Sequence, residues 1–540
     1  MKKKFLALLS VMALGASLLA GCGSTASETA STEGTEAATE AATEATETAD
    51  ADDTSSEGST LIYGSNDYTR INPAIDEHGE INLLLFDGLT AHDADNNVVP
   101  GLAESWDIDD ENNTYTFHIR EGVKWHDGET FTAEDVKFTI EAIMNPDNES
   151  EIASNYEEVA DITVVDDNTV TFTLSEKNVA FLEYMTIGIL PKHLLDGKDM
   201  QNDPYFKSPV GTGPYKFSEW VEGQSITLEA NEDYYKGAPN IQTIVFKIVD
   251  DDNAKALQLQ SGEINFAKIT PKDTQAIASN DGFYVYNMKT SDYRGIMYNF
   301  NNDFWKENAD IIPAISYGID RQAMVDAVLL GDGIVAYGPL QRNVYNDEST
   351  NLYDYNPEKA VEIIEAAGWT MGDDGIYEKD GQKLSFTVTC KEGDQVRADL
   401  AAIATQQLAE IGVDCKSEIK SKIDWAGQDA FLIGWGSPFD ADDHTWKVFG
   451  TDKGANYNAY SDAIVDEALK NARQTDDPEE RAKYYSEFLN EMNANPAYTF
   501  FCYVDVDYVS NVSINGITPD TILGHHGVGI FWNVEEWTLD

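Results

Sequence analysis

Apolar positions along the chain follow two rhythms. Thr114-Tyr115-Thr116-Phe117-His118-Ile119 alternates polar with apolar and predicts a half-buried strand, followed by a turn at His126-Asp127-Gly128. Further strands are predicted at 61–64, 226–228, 244–248, 384–389, 413–419 and 430–434. Helical spacing marks 133–143, 252–261, 314–330, 357–367, 395–411, 461–474 and 478–494. Thr132-Ala133-Glu134-Asp135 has the form of a capping box, with a hydroxyl before the first turn and a carboxylate inside it, and Gly262 closes the helix before it. Strands alternating with helices predict an α/β fold of parallel sheets covered by helices.

The amino end breaks this pattern. Lys2, Lys3 and Lys4 precede an apolar run over 5–20, the charged and apolar parts of a secretion signal. The run falls short of the roughly 20 residues needed to span a bilayer. It ends in Leu19-Ala20-Gly21-Cys22, which resembles the lipobox of bacterial lipoproteins and makes residues 1–21 a signal peptide and Cys22 the expected site of lipidation. Residues 22–58 are rich in Ala, Thr, Ser, Glu and Asp. From Gly23 to Gly58 there is no aromatic residue, Lys or Arg, so the segment is an acidic linker that cannot bury enough apolar surface to offset the entropy of ordering. Fully extended, it would reach roughly 110 Å at about 3.1 Å per residue.

The remaining 480 or so residues are enough for two or three lobes. With 96 acidic against 36 basic residues, the chain is a poor partner for nucleic acid, whose phosphates a binder must neutralise. Besides Cys22 there are three cysteines, Cys390, Cys415 and Cys502, without a CxxC spacing, so neither a disulfide framework nor a zinc module is expected.

Four stretches resemble the peptide/nickel-binding family of ABC transporter solute-binding lipoproteins, solute-binding protein family 5 of the oligopeptide/dipeptide-binding type. They are Ala103-Glu104-Ser105-Trp106 continuing to Thr132-Ala133-Glu134-Asp135-Val136; Gly211-Thr212-Gly213-Pro214-Tyr215 with Asn231, Tyr234 and Tyr235; Ala314 to Arg321; and Ala366-Ala367-Gly368-Trp369. The resemblance implies a periplasmic-binding-protein type II-like fold with two main lobes around a cleft. Lobe I would comprise 59–90, 209–292 and 500–540, an inserted subdomain 91–208, and lobe II 293–499, with the hinge where the chain crosses near 287–301 and 498–507. It also implies a monomer, held by its lipid on the outer face of the cell membrane, that passes a small molecule or peptide to ABC permease subunits. No catalytic residue, cofactor or structural metal is expected.

The loop Gly434-Trp435-Gly436-Ser437-Pro438-Phe439-Asp440-Ala441-Asp442-Asp443-His444 should face the cleft. Peptide-binding relatives place an Asp three residues after this Trp to pair with the ligand's amino group, whereas here that position is Pro438. Asp440, Asp442 and Asp443 are candidate replacements, and Trp435 and Phe439 candidates for stacking on a ligand. From the other lobe, Asp67, Tyr68, Glu77, His78 and Glu80 follow the first strand and are candidates to reach the cleft. Asp443-His444 lacks a spaced metal partner, and His525-His526 reads as part of a structural loop.

The Trp-Gly-Ser-Pro-Phe-Asp pattern also resembles the metal-chelator branch, so a nickel or other chelate is the alternative to a short peptide or related amine-bearing solute. That branch usually holds the chelator's carboxylates with Arg, and residues 145–158 carry five acids and no base. A surface sensor would use the same cleft. A secreted hydrolase is disfavoured, since neither Gly-x-Ser-x-Gly nor His-Glu-x-x-His occurs.

Overall fold

Buried and exposed positions sort as the alternation demands. In the computed structural model, which describes residues 59–76, 79–350, 352–525 and 529–540, Tyr115, Phe117 and Ile119 point inward from strand Thr114–Ile119 while their neighbours are half-buried. The signal peptide, Cys22 and the linker lie outside the described residues, as do Glu77, His78 and His526.

Three sheets carry the fold. A seven-stranded sheet runs in the order Tyr284–Met288, Val506–Ser510, Phe266–Ile269, Thr60–Ser65, Thr243–Ile248, Ser225–Ala230, Tyr215–Val221. A six-stranded sheet runs Gly333–Val335, Tyr498–Val504, Tyr293–Tyr298, Ala430–Trp435, Ser385–Lys391, Asp414–Lys420. Residues 103–174 supply a four-stranded sheet that is antiparallel throughout. The expected parallel sheets need correction. In each main sheet only one strand, Thr60–Ser65 or Ser385–Lys391, has parallel neighbours on both sides, and every other pairing is antiparallel.

The six-stranded sheet is buried on both faces. Strand Tyr293–Tyr298 sends Ile296 and Tyr298 into a core shared with helices Ile312–Tyr317, Pro357–Ala366 and Gln395–Glu410. It sends Tyr293 and Met297 into a second core shared with Ala441–Phe449, Ala463–Gln474 and Pro478–Ala494. This double burial explains why the strand lacks a polar face.

One expected helix is broken. Residues 314–330 divide into Ile312–Tyr317, Arg321–Met324 and a π turn at Val325–Leu329. The Gly318 amide closes the first segment on Ala314 and Ile315, and the Asp320 carboxylate accepts the Ala323 amide at 3.0 Å to start the next. The break lets buried Arg321 donate to the carbonyls of Ser316, Ala336, Tyr353 and Phe500.

The chain passes between the two main sheets twice, side by side. Strand Tyr284–Met288 pairs antiparallel with Val506–Ser510 in one sheet, and Tyr293–Tyr298 pairs antiparallel with Tyr498–Val504 in the other. The crossings are Lys289–Asp292 and Asp505, so residues 500–504 belong to the six-stranded sheet and not, as expected, to lobe I. Thr290 Oγ1 donates to the Val504 carbonyl at 2.5 Å, the Val504 amide donates to Asp292, and Arg342 joins Thr290 to Asp505.

Gly211-Thr212-Gly213 is a close approach between segments and no phosphate loop. A Cβ added to Gly211 would lie 1.7 Å from the Leu85 carbonyl oxygen. Gly211→Ala is therefore expected to lower the unfolding free energy by about 1–3 kcal/mol, read from denaturant midpoints at constant slope. A change within about 0.5 kcal/mol would contradict the close packing.

Candidate functional site

The loop after strand Ala430–Trp435 is held against the first crossing. Gly436 has φ 145°, and a Cβ there would lie 1.9 Å from the Ser291 carbonyl oxygen, so only glycine brings Trp435 this near the crossing. The Trp435 ring stacks on the His525 imidazole at 5.4 Å, and His525 Nδ1 lies 2.9 Å from Asp292 Oδ1. Asp292 in turn holds the Arg294 guanidinium. One side wall of the cleft is thus tied to the crossing.

A cavity of about 260 Å³ opens between the sheets. Asn82, Leu83 and Phe86 line it from one side, His92, Asn155, Tyr156 and Glu183 from the inserted segment, and Trp435 to Phe439, Asp443 and Lys447 from the other. His92 and Phe439 meet face to face across it, with ring centroids 3.7 Å apart and planes 6° from parallel. His92 Nε2 is 2.5 Å from Glu183 Oε2. Burial pushes the Glu183 carboxyl up, and the imidazole partly offsets that.

The acids of the loop divide by partner. Asp440 accepts both arms of the Arg481 guanidinium at 2.5 and 2.6 Å, and its side chain also accepts the Asp442 amide at the start of helix Ala441–Phe449. Asp442 is 1% exposed, takes Arg473 Nε at 3.1 and 3.0 Å, and accepts the Tyr184 hydroxyl. Neither Asp440 nor Asp442 lines the cavity. Asp443 does line it, 3.6 Å from Lys447 Nζ and 3.5 Å from Asn155 Nδ2. His444, one residue on, faces the core with Tyr293, and burial pushes its pKa well below the usual imidazole value.

Arg473 also reaches Glu158 at 2.5 Å and Glu157 at 3.5 Å, and Lys453 reaches Glu157 at 2.6 Å. Burial opposes the Arg473 charge, yet Asp442, Tyr184 and Glu158 outweigh it and raise its pKa. Two acids of the 145–158 segment are therefore neutralised by cations of residues 453–473 rather than presented to a ligand.

The candidates after the first strand lie elsewhere. Glu80 accepts the hydroxyls of Tyr63 at 2.8 Å and Tyr508 at 3.0 Å and does not line the cavity. Asp67 and Tyr68 border a neighbouring hollow of about 190 Å³ that shares Asp76, Gly79 and Asn82 with the cavity. The sequence reading missed His92, Asn155, Glu183 and Lys447, none of which stands in a motif; the hydrophobic spacing of their segments is the only signal they carry.

Among the described residues, no group of three His, Cys, Asp or Glu side chains is arranged to hold a metal ion, and no helix is long and apolar enough to cross a membrane. Residues 97–457 match the family model of bacterial extracellular solute-binding proteins, family 5. The oligopeptide-binding protein AppA of Bacillus subtilis is 32% identical over 510 residues, covering 89% of this chain and 92% of that protein. Two solved structures superpose over 89% of this chain and 99% of theirs. NikZ from Campylobacter jejuni in complex with Ni(L-His) has a TM-score of 0.84 at 37% identity, and B. subtilis AppA in complex with a nonapeptide has 0.80 at 31%.

Asp442→Asn leaves Arg473 short of its buried counter-charge and is expected to cost about 3–5 kcal/mol of stability. Asp443→Asn, at the cavity wall, should cost under about 1 kcal/mol. Equal losses in paired denaturant melts would contradict the division of roles.

Proposed function

This chain belongs to family 5 of the bacterial extracellular solute-binding proteins, and we propose that it captures short peptides or a related amine-bearing solute and hands them to an ABC permease. The observation that carries the reading is the cavity between two sheets joined by a paired crossing, with Trp435 and Phe439 on one wall and His92 and Asn82 on the other. Closing on a solute adds contacts to both walls and shifts the population toward the closed state. The lobes are 59–90, 209–292 and 505–540 against 293–504, with 91–208 inserted and the second crossing at Asp505. Binding without chemical change is its role, exercised as a monomer tethered through acylated Cys22 to the outer face of the membrane.

A metal chelate is the second reading, supported by the similarity to NikZ, whose structure holds Ni(L-His). Two imidazoles, His92 and His525, line the cavity.

A thermal-shift screen of di- to hexapeptides against free amines and nickel–histidine separates them, because a ligand at 100 times its Kd adds about 2.7 kcal/mol of stability. Peptides should raise the melting temperature, and Trp435→Ala should weaken their binding about tenfold. A shift with nickel–histidine alone would favour the chelate, and no shift with any would contradict both.

A further inference from the structure

The acids of the 260 Å³ chamber each have a basic side chain beside them. Asp76 pairs with Arg70 at 2.6 Å, Glu183 with His92 at 2.5 Å, and Asp443 with Lys447 at 3.6 Å. A solute amine entering there finds its counter-charges already shared. Beyond the His92–Phe439 stack the arrangement changes. A second chamber of about 340 Å³ shares Leu83, Phe86, His92 and Phe439 with the first and continues past them to Asp87, Tyr234, Trp532 and Glu535.

Asp87 forms no ion pair among the described residues. Its Oδ1 accepts the Tyr234 hydroxyl at 3.0 Å, and its Oδ2 is buried with no hydrogen-bond partner. Buried carboxylate oxygens are nearly always paired, so an orphan at a chamber wall marks the place of a donor that the chain does not supply. Tyr234, Tyr235, Lys236 and Glu535 are titratable groups around it, and the Arg120 guanidinium stands 5.7 Å from the Tyr235 ring. Lys236 Nζ is 3.9 Å from Glu535 Oε1 and stands over the Tyr235 ring, so this cation is already engaged. At the rim, Asp93 accepts amides of Asp95 and Asn97, and Glu536 is exposed. Phe86, Tyr234 and Trp532 bring aromatic side chains, a type that attracts cations, to the chamber lining.

We propose that the second chamber is the subsite for a positively charged nitrogen of the bound solute, with Asp87 as its counter-ion and the His92–Phe439 pair as the partition the solute crosses. The assignment rests on the reading of the cleft as a peptide or amine site. It explains how a cleft with Pro438 in the loop, and with Asp440 and Asp442 bound to arginines, still receives an amine. Burial pushes the Asp87 carboxyl up to about 7, with Lys236 and the Tyr234 hydroxyl opposing the shift. A bound cation favours the ionised form, so binding releases a proton and tightens as pH rises through that value.

The nitrogen can be the solute's terminal amine or a basic side chain, and three synthetic tetrapeptide mixtures distinguish them: one with free amines, one N-acetylated, and one N-acetylated with norleucine in place of lysine and arginine. Retention of each by the full-length protein is measured by equilibrium dialysis from about pH 5 to about pH 8, spanning the Asp87 titration. The first mixture should be held about tenfold or more tightly than the third, increasingly so at high pH, and the second identifies the source of the charge. Asp87→Asn should abolish the preference and its pH dependence. Because the preference is read from the peptides on the wild-type protein, it stays testable if the variant folds poorly. Equal retention of the first and third mixtures, or an unchanged preference in folded Asp87→Asn, overturns the assignment while leaving the peptide reading intact. Retention of none overturns both.

Discussion

The two sheets are joined by an antiparallel ribbon that belongs to both. Its strands pair as Asn287 with Asp507 and Met288 with Val506 in one sheet, and as Tyr293 with Tyr503 in the other. Between these registers only Lys289–Asp292 and Asp505 lie outside a strand, so the backbone can bend there without breaking a ladder. Asp292, at that bend, contacts both Arg294 and His525, and His525 stacks on Trp435. A rotation about the ribbon therefore moves the aromatic wall of the cavity with it.

The strongly negative chain, with a formal charge of −60, sets some of its few arginines against buried acids. Arg473 gathers Asp442 and Glu158 from distant segments, and Arg481 takes Asp440. Such pairs give little net stability against apolar substitutes, but they fix geometry, because a carboxylate with a bidentate guanidinium cannot turn elsewhere. They hold helix Ala441–Phe449 so that Asp443 alone of the three loop acids borders the cavity. The inserted segment is drawn to the same helix through Tyr184 and Glu157, the latter accepting the Trp446 indole N–H at 2.6 Å.

Local signals were legible and distant ones were not. Helix Pro478–Ala494 has the limits its sequence predicts because Asp477 caps it and Pro478 fits its first turn. Asp252–Ser261 likewise ends at Gly262, whose φ of 78° a side chain would strain. The break after Tyr317 escaped detection because it serves Arg321, whose acceptors lie as far away as Phe500. Strand direction escaped for the same reason, since helix and strand rhythms carry no information on which neighbour pairs. The family resemblance pointed to the cleft loop, and Trp435 and Phe439 of that loop line the cavity. The fate of Asp440 and Asp442 was decided by arginines more than thirty residues along the chain, and His92 and Glu183 became cavity walls only through their meeting across 91 residues.

The central claim is a clamp that closes about its paired crossing. Spin labels at Leu257→Cys and Ile464→Cys, both on exposed helical positions of opposite lobes, report on it directly with Cys22→Ser to leave only buried native thiols. Double electron–electron resonance should give a broad or two-peaked distance distribution without solute that shifts to one narrower peak when a bound peptide is added. A single distribution unchanged by a ligand that demonstrably binds would contradict the account.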